Sequence, residues 1–395
     1  MSDDQPDTGG GAPDGPRGAL RLTAQREALG KAVAWALRTV GQRERLPGLS
    51  GVLFEADGDR LTLRSTDLDL ESELHTEAVV EQPGAALVPG RVLGDIVRTL
   101  PDAPVEMEQE GDDRLQLRCG RAQFSLRLLP LDEYQHLGMP EPGEQDATLP
   151  AAELARTVEL VSRAAHSDYP MREAFTAVSL RSEDGELIAA ATDTYRLAVR
   201  RIAWEHDLES ELLVPRRAMQ EAGRVADEVG GEVRLATDAE GRQLTLTFAD
   251  RRLATRLVDD QRGFPDVDEV VPTEFATELE VDCDELVEVV RRVSAIGEKR
   301  TETIPVRLQA GGEELRVWAT GEDIGSAEDA LGVGLQGEEL EIAFNPQLLL
   351  DGLEAIDTER VALRYAQATQ PVVIEPVDSD ETGTFRYLLM RMHVD

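Results

Sequence analysis

Three ladders of residue spacing run through this chain, and together they constrain its architecture more tightly than any single motif, because an overlooked repeat misreads the whole fold. Apolar residues at three-and-four spacing predict helices over Ala24–Val40, Ala151–His166 and Asp282–Ile296. Their anchoring leucines, Leu29, Leu154 and Leu286, stand 125 and 132 residues apart. Val88-Pro89, Val214-Pro215 and Asn345-Pro346 each end a short apolar run, with prolines 126 and 131 residues apart. Proline suits the first helical position, where its missing N–H would be unpaired anyway, so each dipeptide predicts a strand-to-helix junction and a second helix. Thr66-Asp67, Thr192-Asp193 and Thr320-Gly321 repeat at 126 and 128 residues and close predicted strands.

Between the two helices of each third lie alternating segments such as Gly51-Val-Leu-Phe-Glu, Leu61-Thr-Leu-Arg-Ser, Ala177-Val-Ser-Leu-Arg and Ile304-Pro-Val-Arg-Leu, which predict strands. The expected fold class is α+β: three copies of one unit, each with two helices packed on antiparallel sheet. The expected divisions are a disordered tail over 1–18, then domains over 19–143, 144–274 and 275–395. The tail is rich in Asp, Gly and Pro and offers too little apolar surface to offset its own ordering.

Helix-borne cations recur seven residues apart, two turns and hence one face, as Lys31/Arg38, Arg91/Arg98, Arg156/Arg163, Arg217/Arg224 and Arg292/Lys299. The helix opened by Asn345-Pro346 carries no such pair. Any one pair reads as a solvated polar face. Acidic residues number 78 against 41 basic ones, for a formal charge of −37, so five repeated pairs suggest a positive surface within a negative shell. Such a surface suits a duplex held by its phosphates, without sequence preference.

No phosphate loop, His-Glu-x-x-His, Gly-x-Ser-x-Gly or dinucleotide fingerprint occurs. The histidines, His75, His136, His166, His206 and His393, lack metal-ligand spacing. Cys119 and Cys283 are far apart and predict neither a disulfide framework nor a thiolate metal site. The expectation is a non-enzymatic protein with no cofactor or metal. Without a long apolar run or a hydrophobic leader core, no membrane association is expected, and the protein is placed in the cytoplasm.

Seven fragments then occur in a telling order: Arg45-Leu-Pro-Gly-Leu-Ser-Gly-Val-Leu, Ser65-Thr-Asp-Leu-Asp-Leu-Glu, Phe124-Ser-Leu-Arg-Leu-Leu-Pro, Ala191-Thr-Asp-Thr-Tyr-Arg-Leu-Ala, Phe264-Pro-Asp, Phe344-Asn-Pro and Tyr387-Leu-Leu-Met-Arg-Met. Over about residues 19 to 394 the chain resembles the β sliding clamp family of bacterial DNA polymerase III. The resemblance implies the DNA clamp fold, a head-to-tail homodimer forming a six-domain ring around duplex DNA, and a role as a processivity factor. The implied partners are the replicative polymerase, an ATP-driven clamp loader and other proteins carrying clamp-binding motifs.

Carried over by position, the resemblance implies a peptide pocket built from Phe175, Thr192, Thr194, Tyr195, Arg196, Leu197, Pro265, Val270, Met390, Arg391 and Met392. It implies a subunit interface at Phe124 and Leu126 against Ala295 and Ile296, and a duplex-contacting loop residue at Arg43. The chain departs from the family pattern at Thr194-Tyr195, where Gly-His is usual. It departs again at Met390-Arg-Met-His-Val-Asp, where Met-Pro-Met-Arg-Leu is usual, at Gly48, where a larger apolar residue is common, and in its long N-terminal tail. These departures support an alternative: a divergent paralogue with an altered pocket, serving inhibitor tolerance or acting as a non-replicative decoy.

Overall fold

The computed structural model describes residues 19–41, 46–139, 146–169, 171–297, 303–321, 324–367, 370–378 and 383–393. The expected disordered tail (Met1 to Gly18), Arg43 and Lys299 lie outside the described residues. The helices are α1 (Arg26–Ala36), α2 (Gly90–Thr99), α3 (Ala151–Val161), α4 (Arg216–Val229), the single turn α5 (Val267–Val270), α6 (Cys283–Ser294) and α7 (Pro346–Leu353). Apart from α5, these are the two helices expected in each third.

Their ends differ from the expected ones. α1 stops at Ala36 rather than Val40 because the buried hydroxyls of Thr39 and Ser65 donate to the Ala36 carbonyl, at 3.3 and 2.5 Å, where the next turn would have paired. α3 and α6 pass into short 3₁₀ turns, Ser162–Ala164 and Ala295–Gly297. Arg38 and Arg163 therefore lie beyond the helices that carry Lys31 and Arg156. Pro346 occupies the first turn of α7, behind an Asn345 cap whose Oδ1 accepts from the Gln347 N–H at 3.0 Å. Pro89 and Pro215 instead end strands, one residue before their helices begin.

The chain forms two compact units. The first holds Met1–Pro150 and Val229–Arg256. One of its sheets is five-stranded, in the order Val79–Gln82, Arg21–Ala24, Val105–Glu110, Arg114–Cys119, Ala122–Arg127. The other is eight-stranded: Ala147–Pro150, Glu232–Thr237, Gln243–Thr247, Arg251–Arg256, Leu70–Glu77, Arg60–Thr66, Gly51–Asp57, Gly84–Pro89. Leu22, Leu29, Phe54, Leu63, Leu93 and Leu117 are buried between the sheets and helices, each worth about 1.5–3 kcal/mol of transfer free energy. Gly48 is packed so closely that a Cβ would sit 2.2 Å from the Glu133 carbonyl oxygen, which excludes the larger residue common at this position.

The second unit holds Ala151–Glu228 and Leu257–Asp395. Its nine-stranded sheet runs Leu212–Pro215, Ala177–Glu183, Glu186–Thr192, Arg196–Ala203, Thr384–Leu389, Val372–Val377, Arg360–Tyr365, Thr277–Asp282, Gly334–Gly337. A four-stranded sheet, Gly325–Gly332, Glu314–Gly321, Val306–Gly311, Leu340–Phe344, completes it. Every described pairing is antiparallel, and the second strands close at Thr66, Thr192 and Gly321 as expected. Ile304 and Pro305, expected as strand, precede the strand that begins at Val306, and Pro305 has no N–H to give to a ladder.

Where Arg251–Arg256 joins Leu70–Glu77, the eight-stranded sheet is polar inside. The Glu73 side chain is 1% exposed and meets Arg64 Nε at 2.5 Å, His75 Nε2 at 3.1 Å and Arg252 Nη1 at 3.2 Å. Burial pushes its carboxyl up, but His75, Arg64 and Arg252 outweigh burial and hold it down at about 2. Two residues along the same face, Glu71 accepts from the Leu137 N–H at 2.6 Å and lies 3.4 Å from the Tyr134 hydroxyl. Burial dominates there and pushes Glu71 up to about 7, against the Leu137 N–H and Arg64 and with help from Glu73.

The two carboxyls act in opposite directions with pH. Glu71 contributes stability that is fully present below its ordinary value of 4.5 and is lost as pH rises through 7, about 3 kcal/mol in all. Glu73 contributes stability present above 4.5 and lost as pH falls toward 2. Glu71→Gln keeps an acceptor for Leu137 without the ionisation. At pH 8 its urea midpoint should exceed that of the unchanged protein, and below pH 4.5 the two should coincide. A variant that weakens equally on passing from pH 5 to pH 8 would rule Glu71 out as the source.

Candidate peptide-binding site

The site is built on one hairpin. Thr192 Oγ1 accepts from the Thr194 N–H at 3.1 Å and donates to the Arg196 carbonyl at 2.6 Å. Asp193 Oδ1 accepts from the N–H groups of Tyr195 and Arg196 at 3.0 and 3.1 Å. The same lattice recurs in the first repeat, where Thr66 Oγ1 accepts from Leu68 at 2.9 Å and Asp67 Oδ1 accepts from Asp69 and Leu70 at 3.1 and 2.9 Å. Thr194 and Leu68 both sit at positive φ, 79° and 78°. A β-branched residue is disfavoured there by about 1–2 kcal/mol, and the Thr-Asp hydrogen bonds hold it in place.

Arg196 points inward. Its side chain is 9% exposed, with Nε 2.9 Å from Asp193, Nη1 2.6 Å from Asp351 and 3.4 Å from the Tyr387 hydroxyl. Tyr387 donates to the Leu348 carbonyl at 2.7 Å. Burial would lower the guanidinium's pKa, but Tyr387, Asp351 and Asp193 raise it on balance. Burial raises that of the Tyr387 phenol, with Arg196 opposing. Arg196 is thus the hub that fixes the hairpin.

Leu197, 5% exposed, joins Ile188, Val199, Val267, Val373 and Leu388, with Phe264, Val271 and Phe275 packed against them. Phe264 also reaches the cluster of Ala174, Ala177 and Leu213. Phe175, buried beside it in sequence, lies under the Arg172 guanidinium at 4.6 Å and edge-on to Tyr169 at 5.5 Å. Of the other candidates, Tyr195 is 65% exposed, Val270 41% and Met390 40%, and Pro265 is half-buried. The Met390 N–H donates to the Tyr195 carbonyl at 2.8 Å, bringing the C-terminal segment to the hairpin.

Arg391 and Met392 belong to a separate cleft. The Met392 N–H donates to the Ala343 carbonyl at 2.7 Å, and both residues line a space of about 300 Å³ together with Arg307, Glu341 and His393. Arg172, Asp351 and Tyr387 carry the site without having been singled out. Tyr387 alone had a signal, as the first residue of the terminal fragment.

The helix-borne cations are accompanied by acids. Lys31 meets Glu27 at 3.0 Å, Arg156 meets Glu159 at 2.8 Å, Arg163 meets Glu354 at 3.7 Å, and Arg292 meets Asp329 at 2.9 Å and Glu288 at 3.2 Å. Arg98 pairs with Asp95 and Arg224 with Glu221. Arg38 lies over the Trp35 ring at 5.3 Å. Arg91 and Arg217 are exposed. The described faces therefore alternate in charge, where the spacing alone suggested uninterrupted cation, because Lys31, Arg98, Arg156, Arg163, Arg224 and Arg292 each have a carboxylate within a turn or on a neighbouring element. Phe124 is half-buried and Leu126 buried in the edge strand Ala122–Arg127, Ala295 is exposed and Ile296 half-buried.

Family models for the DNA polymerase III beta subunit match its N-terminal domain over residues 20–138, its central domain over 148–266 and its C-terminal domain over 268–393. The chain belongs to the DNA polymerase III beta subunit family. The "Beta sliding clamp" of Streptomyces coelicolor is 33% identical over 380 residues, covering 94% of this chain and 98% of that protein. The "Beta sliding clamp homolog GriR" of Streptomyces muensis is 32% identical over 378 residues, with the same coverage. The sliding clamp of Bacillus subtilis superposes with a TM-score of 0.88 at 25% identity, over 96% of this chain and all of that one. A Pseudomonas aeruginosa clamp bound to griselimycin superposes at 0.86 and 29% identity, over 95% of this chain and all of that one.

The beta-subunit chain has the three-domain clamp architecture of mixed helices and antiparallel sheets, as the repeat implied. It is a sliding clamp, a processivity factor and not an enzyme. Among the described residues no helix is long and apolar enough to cross a membrane, and no cluster of His, Cys, Asp or Glu is arranged to hold a metal ion. Cys119 and Cys283 are free and buried. Burial and the neighbouring Asp284 and Asp282 push the Cys283 thiol up to about 11, which suits an inert thiol.

Proposed function

We propose that two copies of this clamp associate head to tail into a six-domain ring that encloses duplex DNA without reading its sequence. A clamp loader places the ring, and the ring tethers the replicative polymerase and other motif-bearing proteins in the cytoplasm. The domains of each copy span 19–143, 144–274 and 275–395. The observation that supports the tethering role is the set of exposed side chains Tyr195, Val270 and Met390, with Met390 joined to Tyr195 through the backbone, on segments whose neighbouring residues Leu197 and Val267 are buried in one apolar cluster. Exposed apolar side chains on packed segments suit short segments anchored by one or two large side chains. Two outer strands support the association: Ala122–Arg127 and Gly325–Gly332 each pair on one side only among the described residues. Both offer a row of backbone donors and acceptors to a second copy.

Sliding follows from the way the cations are held. Lys31, Arg98 and Arg224 are exposed and already share their charge with an acid, so each attracts phosphate weakly and releases it easily. A second reading, a divergent paralogue that tolerates an inhibitor or serves outside replication, is favoured by the positive φ of Thr194 and by the exposed Tyr195 beside it. Both change the pocket rim.

Retention on nicked circular DNA decides between a working ring and a protein that serves outside replication. Loaded by an active clamp loader, the protein is expected to stay on the circle through a high-salt wash and to leave when the circle is linearised. No retention with an active loader would remove the ring and leave the non-replicative reading.

A further inference from the structure

We propose that the cleft beside the C-terminal segment is a carboxylate-binding subsite, which reads an acidic residue next to the apolar anchor of a docked peptide. The proposal rests on the peptide-binding reading of the Tyr195–Met390 rim. Arg391 Nε is buried and has no acceptor among the described residues. A buried donor without an acceptor is a standing cost that an incoming acceptor would relieve.

The backbone on either side of Arg391 is pinned, by the Met390 N–H on the Tyr195 carbonyl at 2.8 Å and by the Met392 N–H on the Ala343 carbonyl at 2.7 Å. The guanidinium thus springs from a fixed root and costs less to order than one on a loose tail. Arg391 lines the space of about 300 Å³ with Arg307, Glu341, Met392 and His393. Arg307 lies 3.8 Å from Glu341, the one carboxylate in this lining. Two guanidiniums against one acid make a local cationic excess in a chain whose formal charge is −37.

Geometry sets where the acid must be. Arg391 follows Met390 directly, and consecutive Cα atoms are about 3.8 Å apart. A side chain resting on Met390 therefore brings the next residue or two of its own chain to the cleft. A guanidinium fork fits the two oxygens of Asp or Glu in a way that an amide does not.

The test uses the full-length protein and two fluorescein-labelled peptides. Each carries an adjacent Leu-Phe anchor flanked by Asp in one peptide and Asn in its twin. By fluorescence anisotropy at low salt the Asp peptide should bind about tenfold tighter. Arg391→Gln should reduce that preference below about twofold, with the loss falling mainly on the Asp peptide, whose charge and paired oxygens the guanidinium uses. Arg391→Lys should keep part of it. Equal binding of the twins to the unchanged protein would overturn the subsite, as would a preference that survives Arg391→Gln. The Asn twin tests the underlying site separately: its affinity should fall in Met390→Ala, and if it does not, the rim reading fails whatever the Asp preference. A short duplex oligonucleotide forms a third arm. If Arg391→Gln weakens duplex binding and spares the peptide preference, the guanidinium serves phosphate and the proposal fails.

Discussion

Glu73→Ala should lower the unfolding free energy of the first unit by about 3–5 kcal/mol, the cost of breaking a buried ion cluster from one side. Glu73 is 1% exposed and meets Arg64, His75 and Arg252, and its backbone carbonyl accepts from Trp35 Nε1 at 3.3 Å. Arg64 retains Glu55 at 2.7 Å after the change, but the side chain of Arg252, 6% exposed, loses the carboxylate it faces across the strand pair. Urea titration monitored by circular dichroism gives the difference. The double change Glu73→Leu with Arg252→Met should recover most of the loss, since an apolar pair of similar volume demands no counter-charge. A loss below about 1 kcal/mol in Glu73→Ala would mean that apolar packing alone holds the seam.

The second large effect concerns Gly352. A Cβ there would stand 2.4 Å from the Tyr387 ring, which is 1% exposed and cannot withdraw to solvent. Gly352→Ala should therefore destabilise the second unit by about 3 kcal/mol, the upper part of the range for overpacked cores. It should also weaken anchor-peptide binding more than tenfold, because a displaced Tyr387 withdraws its hydroxyl from Arg196, and Arg196 with Asp193 sets the hairpin under the Tyr195 rim. Gly223→Ala is the control. Its Cβ would meet Val158 at 2.8 Å between α4 and α3, away from the hairpin. Comparable destabilisation with peptide affinity intact is expected for it; if both variants lose affinity alike, the Tyr387–Arg196 link is not the route.

The repeat was legible because each third has to solve the same local problems: a helix entry, a strand end and an apolar stripe recur at matching intervals. The polar seam was not. Leu70-Glu-Ser-Glu-Leu reads as a half-exposed strand, yet all five residues are buried. What covers them is Arg251–Arg256, far along the chain, and no local pattern encodes a partner at that separation. The partners of Arg196 were hidden for a related reason, since Asp351 and Tyr387 close around it from distant sequence. The fragments pointed to the hairpin and the tail but gave no sign that Arg391 would line a cleft that Met390 does not. The helix ends were missed because side-chain hydroxyls, not breaker residues, terminate α1.

The closure of Leu70–Glu77 by Arg251–Arg256 also sets the order of events on the ribosome. About 180 residues must be made between the end of the first strand and the end of the second, roughly 10–35 s at ordinary elongation rates. During that interval the first repeat carries an open sheet edge, the kind of surface on which nascent chains on neighbouring ribosomes stick together. The edge bears Glu71 and Glu73, so two such edges repel one another until the arginines of the late strand arrive. The residues that lock the finished sheet are thus the ones that keep the unfinished one solitary.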